Sequence, residues 1–193
     1  FRVQGLQPAD AILIASDLQL MSPVIKIVLS LNQIEDEGAI SLGESLKVNT
    51  SLEDLNLNNC GIGVPGGKAI GEALQLGIAV LKSLDLAVND IDAEGAKALA
   101  EALGSGKAVL TDCSLLTNNL DFESTKLLSS LAFESAKMLA KIGTEKQIML
   151  SGMKRDQTEA GFKYRGLKPA DAILIASDLQ FMAVLTECNV RGN

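Results

Sequence analysis

The sequence predicts an α/β solenoid in which short strands and helices alternate along a right-handed coil. Three observations predict it: a strand-like motif occurs four times, its copies are almost evenly spaced, and each spacer has the apolar period of a helix. Of the 193 residues, 47% are apolar, which is enough for one continuous core. We therefore expect residues 1–193 to form a single solenoid domain.

The strand-like motif alternates apolar and variable residues. Its copies are VIKIVLSLNQI from Val24, LEDLNLNNCGI from Leu52, LKSLDLAVNDI from Leu81 and LTDCSLLTNNL from Leu110. All four match L-x-x-L-x-L-x-x-N/C-x-L, in which alternation predicts a strand with one buried face. We call the Asn or Cys of this motif the ladder position, and its spacing of 28, 29 and 29 residues extends in both directions. The ladder positions are Gln4, Asn32, Cys60, Asn89, Asn118, Arg165 and Asn193.

The spacers between the motifs have helical periodicity. DEGAISLGESL from Asp36, GGKAIGEALQL from Gly66 and AEGAKALAEAL from Ala93 carry apolar residues at i, i+3, i+4 and i+7. Asp36 and Asp92 stand where helix N-caps are expected. Helices are about 10 Å wide and strands lie about 4.8 Å apart, so the stack bends into an arc or partial horseshoe. The parallel sheet is then concave and the helices are convex.

One interval between ladder positions is longer, at 47 residues. It contains a near-duplication of eleven residues, FESTKLLSSLA from Phe122 and FESAKMLAKIG from Phe133. Eleven residues are close to three helical turns, so a helix could lengthen here without rotating its apolar face. A short strand at Ile148 to Leu150 and a charged turn at Lys154 to Asp156 follow. We expect an irregular insertion over about residues 132–160.

A second duplication joins the two ends of the sequence. Residues 1–21 and 162–182 agree at 16 of 21 positions and share the string PADAILIASDLQ. Their offset of 161 residues equals the sum of the ladder intervals from Gln4 to Arg165, which indicates duplication of a block of repeats. The sequence stops at Asn193 within a strand-to-helix turn, so we expect a segment of a longer array.

The motifs resemble the ribonuclease-inhibitor-type leucine-rich repeats, which also occur in NACHT-containing NOD-like receptors. The resemblance is carried by LNLNNCGI with Cys60 at its ladder position, by NDIDAEGAKALAEAL from Asn89 and by the repeat lengths of 28 and 29 residues. It implies that variable residues on the concave strands bind a protein partner. The matching positions are Lys26, Asp54, Asn56, Asn58, Ser83, Asp85, Asp112, Ser114, Glu187 and Arg191.

Composition excludes several classes of function. With no histidine, most catalytic triads and histidine metal sites are impossible, so we expect no enzyme, cofactor or metal site. A net charge of −7 and six aromatic residues disfavour nucleic acid, and no uncharged run approaches the roughly 18 residues that membrane insertion requires. Three cysteines indicate a reducing compartment, and we expect an intracellular, cytoplasmic protein. Because the sequence starts at Phe1 rather than Met, an organellar targeting signal stays an alternative.

The string GIGVPGGK from Gly61 satisfies the dinucleotide motif G-x-G-x-x-G after a strand. The repeat register favours a structural role instead, because Gly67 aligns with Gly38 and Gly95. Asp85, which would bind the ribose, falls in the next strand. We therefore expect neither a nucleotide nor another small-molecule ligand.

Two columns of side chains make the predicted concave face acidic. Asp54, Ser83 and Asp112 form one column, and Asn56, Asp85 and Ser114 form the next. The leading hypothesis is a non-enzymatic interaction module that binds a basic protein there. Exposed strand positions must be polar in any case, so a merely solvated face remains the alternative for these residues. The alternative function is a structural subunit packed in a large assembly through its helices and its insertion, which deletion of residues 122–132 would test.

Overall fold

The computed structural model describes residues 4–20, 24–76, 79–120 and 134–193, so the first copy of the eleven-residue duplication lies outside the described residues. Helices and strands alternate through these ranges, and none of the helices found there is long and apolar enough to cross a membrane. The elements are α1 Pro8–Leu18, β1 Lys26–Val28, α2 Glu35–Leu46, β2 Asp54–Asn56, α3 Val64–Leu76, β3 Ser83–Asp85, α4 Ala93–Gly104, β4 Asp112–Ser114, α5 Glu134–Lys146, β5 Glu159–Gly161, α6 Pro169–Leu179 and β6 Glu187–Asn189.

The first four strands form one parallel sheet in the order β1-β2-β3-β4. Neighbouring strands pair in the register that the repeat predicts, with Leu55 opposite Leu84 and Leu84 opposite Cys113. The helices pack consecutively beside the sheet, from α1 against α2 to α5 against α6. The predicted α/β solenoid with parallel strands is therefore confirmed.

The core lies between the sheet and the helices. The central strand residues Leu55, Leu84 and Cys113 are at most 1% exposed because alternation turns them inward while their neighbours face solvent. On the helix side, Ile70 and Leu99 are fully buried. This continuous apolar layer holds the strands in register and orients the variable residues outward.

The ladder asparagines connect successive repeats through their side chains. Asn89 accepts hydrogen bonds from the backbone N–H groups of Cys60 and Ile62, both at 3.0 Å, and donates to the carbonyl of Leu57 at 2.9 Å. These backbone groups lie in turns where no strand can pair with them, so the amide satisfies groups that would otherwise be buried without partners. Cys60 replaces this amide in its own repeat and places Sγ 3.2 Å from the carbonyl of Leu29.

The sheet is divided after β4. Met149 forms only an isolated parallel bridge with Asp112, while β5 and β6 form a separate parallel pair. The strand expected at Ile148 to Leu150 is thus reduced to one bridge, and the single parallel sheet of the sequence prediction is two sheets. Nine residues, 150–158, separate that bridge from β5.

Two buried aspartates of α6 close this break. The carboxylate of Asp178 accepts hydrogen bonds from the N–H of Leu150 at 2.9 Å, and from the N–H and hydroxyl of Ser151 at 2.7 and 2.6 Å. Asp171 accepts from the N–H of Thr117 at 2.8 Å. These donors lie at the interruption of the sheet. The carboxylates therefore accept the hydrogen bonds that the carbonyl groups of a neighbouring strand would accept in an unbroken sheet. Burial raises the pKa of both aspartates, against the lowering effect of these hydrogen bonds.

The duplicated string PADAILIASDLQ packs differently in its two copies. In α1, Ala11, Ala15 and Leu18 are buried, and this helix packs against α2. In α6, their counterparts are exposed, and the opposite face is buried against α5. Leu174 is 0% exposed in α6, whereas the equivalent Leu13 is 66% exposed in α1. The neighbouring helix, not the local sequence, therefore selects the buried face.

The two predicted N-caps behave differently. Asp92 caps α4 as expected, accepting from the N–H groups of Glu94 and Gly95 at 2.8 and 3.1 Å. The prediction for Asp36 is wrong, since this residue lies inside the first turn of α2, which begins one residue earlier at Glu35. Its carboxylate instead accepts from the N–H groups of Gly63 and Gly66 at the start of α3, both at 2.9 Å. The cap is thus supplied by the preceding repeat.

Candidate functional site: a groove on the sheet face

A groove of about 1150 Å³ runs over the outward face of the four-stranded sheet. It exists because the central residue of each strand points into the core and the flanking residues point outward. Eight of the ten concave residues predicted from the sequence line it. These are Lys26, Asp54, Asn56, Asn58, Ser83, Asp85, Asp112 and Ser114. Glu187 and Arg191 do not line the groove, because they lie in β6 and in the turn after it, beyond the break.

Three aspartates from successive strands make one part of the groove acidic. Asp54 of β2 forms an ion pair with Lys26 of β1 at 2.6 Å. Asp112 of β4 accepts a hydrogen bond from the hydroxyl of Thr111 at 2.7 Å. The lysine therefore balances one carboxylate, and net negative charge persists over β3 and β4.

Asp85 of β3 is the central carboxylate of the three and is partly buried. It accepts from the amide of Asn56 at 3.1 Å and from the N–H of Ala87 at 3.0 Å. Burial raises the pKa of Asp85, the hydrogen bonds from Ala87, Asn58 and Asn56 lower it, and the charge of Asp54 raises it again. A cation placed in the groove would therefore stabilise the ionised form of Asp85, which burial disfavours.

Four basic residues that the sequence analysis did not assign to this face line the same groove. They are Lys146, Lys154, Arg155 and Arg165. All four are exposed, and within the described part of the chain none forms an ion pair with a carboxylate. The charged turn after residue 153 was visible in the sequence, but its direction depends on how the chain leaves the sheet after Met149. The local sequence of the turn does not predict that direction.

Aromatic contacts hold the two arginines. The guanidinium of Arg155 lies 5.4 Å from the ring centre of Phe181 and donates to the carbonyl of Gln147. Arg165 lies 5.8 Å from the ring centre of Phe162. Such contacts restrict long side chains without neutralising their charge. The guanidinium groups thus remain available to an anion.

The charge asymmetry extends beyond the groove. Residues 4–120 contain 15 acidic and 6 basic residues, whereas residues 134–193 contain 7 acidic and 9 basic residues. The groove crosses the boundary between these two parts, so the overall charge of −7 does not describe it.

The glycine-rich string after β2 has no room for a phosphate at its backbone donors. The N–H groups of Gly63 and Gly66 are already bound by Asp36, and a Cβ at Gly66 would lie 2.7 Å from Ile62. Gly38 meets Ile34 in the same way, so Gly66 rather than Gly67 is its equivalent, and the register expected from the sequence was one residue off. The glycine allows close packing of helices.

All three cysteines are free thiols. Burial raises the pKa of Cys60 to about 11 and that of Cys113 to about 12. Cys188 is partly exposed. In the described residues, no cluster of three or more Cys, Asp or Glu side chains could hold a metal ion.

The leucine-rich repeat family matches residues 24–43, 48–71 and 79–100. These three segments are leucine-rich repeats. Each match contains one strand and most of the following helix, from β1 with α2 to β3 with α4. The three matched leucine-rich repeats contribute Lys26, Asp54 and Asp85 to the groove, whereas Lys146, Lys154, Arg155 and Arg165 lie outside the matched segments.

A solved structure titled Leiomodin-1 Actin-Binding Site 2 has a similar fold. It aligns with a TM-score of 0.59 over 87% of this chain and 87% of that chain. Sequence identity is 17%, so the likeness supports the leucine-rich repeat architecture rather than a shared ligand.

Proposed function

We propose that the protein is a non-enzymatic interaction module that binds a protein partner in the groove. The observation that carries the proposal is the convergence of Asp54, Asp85 and Asp112 from three adjacent strands onto one concave surface. The neighbouring solved structure is named for binding actin, itself a protein, on a similar architecture. A rigid sheet presents such residues with little loss of conformational freedom on binding.

The partner surface that meets these strands is basic. Three carboxylates with a single paired lysine attract cations, and steering by such a field accelerates association at low salt. The alternative from the sequence, a structural subunit of a large assembly, stays a prediction, since its decisive segment lies outside the described residues.

Charge reversal of the three aspartates tests the proposal. We expect Asp54→Lys combined with Asp85→Lys and Asp112→Lys to abolish capture of a basic partner from a native lysate, identified by mass spectrometry. Capture by the wild type should weaken as salt rises, because exposed charges are screened.

The matched control reverses three exposed acids on the helices, Asp17, Glu37 and Glu72, which changes the net charge equally. This control should capture the partner as the wild type does, and circular dichroism should show both variants folded. Equal capture by the groove variant would contradict the proposal.

A further inference from the structure

The groove has two charged parts that face the same space. Asp54, Asp85 and Asp112 cover the strands, and the four basic residues Lys146, Lys154, Arg155 and Arg165 stand beyond β4. For brevity we call the first set the acidic floor and the second the basic wall. No ion pair joins the two sets among the described residues, although each carries unbalanced charge.

The order of the strands separates the two charges along the solenoid. β1 to β4 follow one another, and Met149 adds one further bridge beside β4, immediately before the turn that carries Lys154 and Arg155. Four spacings of about 4.8 Å give a length of about 19 Å from β1 to this bridge. An extended peptide rises about 3.3 Å per residue, so about six residues span the groove.

The surface between the charges can bind a peptide backbone and one apolar side chain. Asn58 and Ser114 supply hydrogen-bonding groups in the lining. Val88 also lines the groove and is 42% exposed. Its φ of 58° belongs to the repeat, because Leu31, Asn59 and Thr117 have φ values of 62°, 52° and 59° one residue before their own ladder positions.

We propose that the groove binds an extended segment of a partner protein with basic residues at one end and acidic residues at the other. The proposal rests on the function proposed above and adds the order of charges along the bound segment. The basic end of the segment lies over the acidic floor, and its acidic end lies against the basic wall. A wholly basic segment would meet Lys154 and Arg165 unfavourably. A polyanion such as nucleic acid would be repelled by the three aspartates.

A panel of synthetic peptides tests this charge order. The probe is a fluorescein-labelled peptide of about eight residues, with lysines at one end, glutamates at the other and a neutral valine-containing centre. Peptides of the same length with only lysine, only glutamate or alternating charges serve as comparisons. Fluorescence anisotropy with the full chain measures each dissociation constant.

We expect the wild type to bind the two-signed peptide roughly tenfold more tightly than the lysine peptide, as a few exposed charge contacts would produce. Lys154→Glu combined with Arg165→Glu should reverse this preference. The matched control, Lys107→Glu with Lys163→Glu, changes the same charge outside the groove and should leave it unchanged.

The remaining outcomes separate the two proposals. If the lysine peptide binds as tightly as the two-signed peptide and the double variant has no effect, the basic wall is not part of the site and the proposed function survives. Tightest binding of the alternating or the glutamate peptide overturns the charge order. If no peptide binds, the charge order is wrong and capture from the lysate decides the proposed function. If the triple aspartate variant binds all peptides as the wild type does, both proposals are wrong.

Discussion

Cys60 and Cys113 show how a repeat position assigns a role to a side chain. Cys60 stands at a ladder position, where its Sγ lies 3.2 Å from the carbonyl of Leu29, and Cys113 stands where β2 and β3 carry leucine. Both are fully buried. Their buried positions in the repeat favour packing over chemistry. The raised pKa of both thiols agrees, because a thiol that stays protonated is a poor nucleophile and metal ligand.

Thiol reactivity at residue scale follows from this burial. We expect iodoacetamide at about pH 8 to label Cys188 first, since thiolate is scarce at Cys60 and Cys113, whose pKa values are about 11 and 12. Peptide mass spectrometry at successive times would measure the order. The unfolded protein in guanidinium serves as control, where all three thiols should react at similar rates. Rapid labelling of Cys113 in the folded protein would contradict the prediction.

At the scale of elements, α1 and α6 place one sequence in two environments. Asp178 is fully buried, and its carboxylate accepts four hydrogen bonds from Leu150 and Ser151. The equivalent Asp17 is exposed. Helical periodicity predicts both helices but not which face each one buries. The insertion before β5 creates unpaired backbone donors, and only α6 lies where it can satisfy them.

This pair of helices provides a matched mutational comparison. Asp178→Ala should lower the free energy of unfolding by about 2 kcal/mol, because buried N–H groups lose their acceptors. Asp17→Ala, within the same string of residues, should change it by less than about 0.5 kcal/mol. Urea denaturation followed by circular dichroism would measure both values. Equal effects of the two substitutions would show that Asp178 does not close the sheet.

At the scale of the whole molecule, the buried carboxylates lower the free energy of unfolding when they are ionised. Burial raises the pKa of Asp85, Asp171 and Asp178 above the ordinary value of 3.8. Asp85 lies on the groove, whereas Asp171 and Asp178 lie at the break in the sheet, where a regular array would have a further paired strand. The folded chain consequently holds these protons more tightly than the unfolded chain does.

The free energy of unfolding should therefore fall as the pH rises from about 3.8 through the raised pKa values, because the unfolded state loses these protons first. Above that range the contribution of these groups is constant. Urea denaturation between about pH 3 and pH 7 measures the trend. Asp171→Asn combined with Asp178→Asn should flatten it. A wild-type stability that rises throughout this range would contradict the assignment.

The sequence by itself determined the parts of this protein that depend on local periodicity. Leucines two residues apart produce a strand with one buried face, so the repeats, the inward residues and the eight predicted residues that line the groove follow from the pattern. Tertiary structure decided the rest: the division of the sheet after β4, the buried faces of α1 and α6, and the turn of Lys154 and Arg155 into the groove. The physical reason is that α1 and α6 have the same amino-acid sequence and therefore the same helical periodicity. Only the segment that packs against each helix differs, in its unpaired backbone groups and its apolar surface.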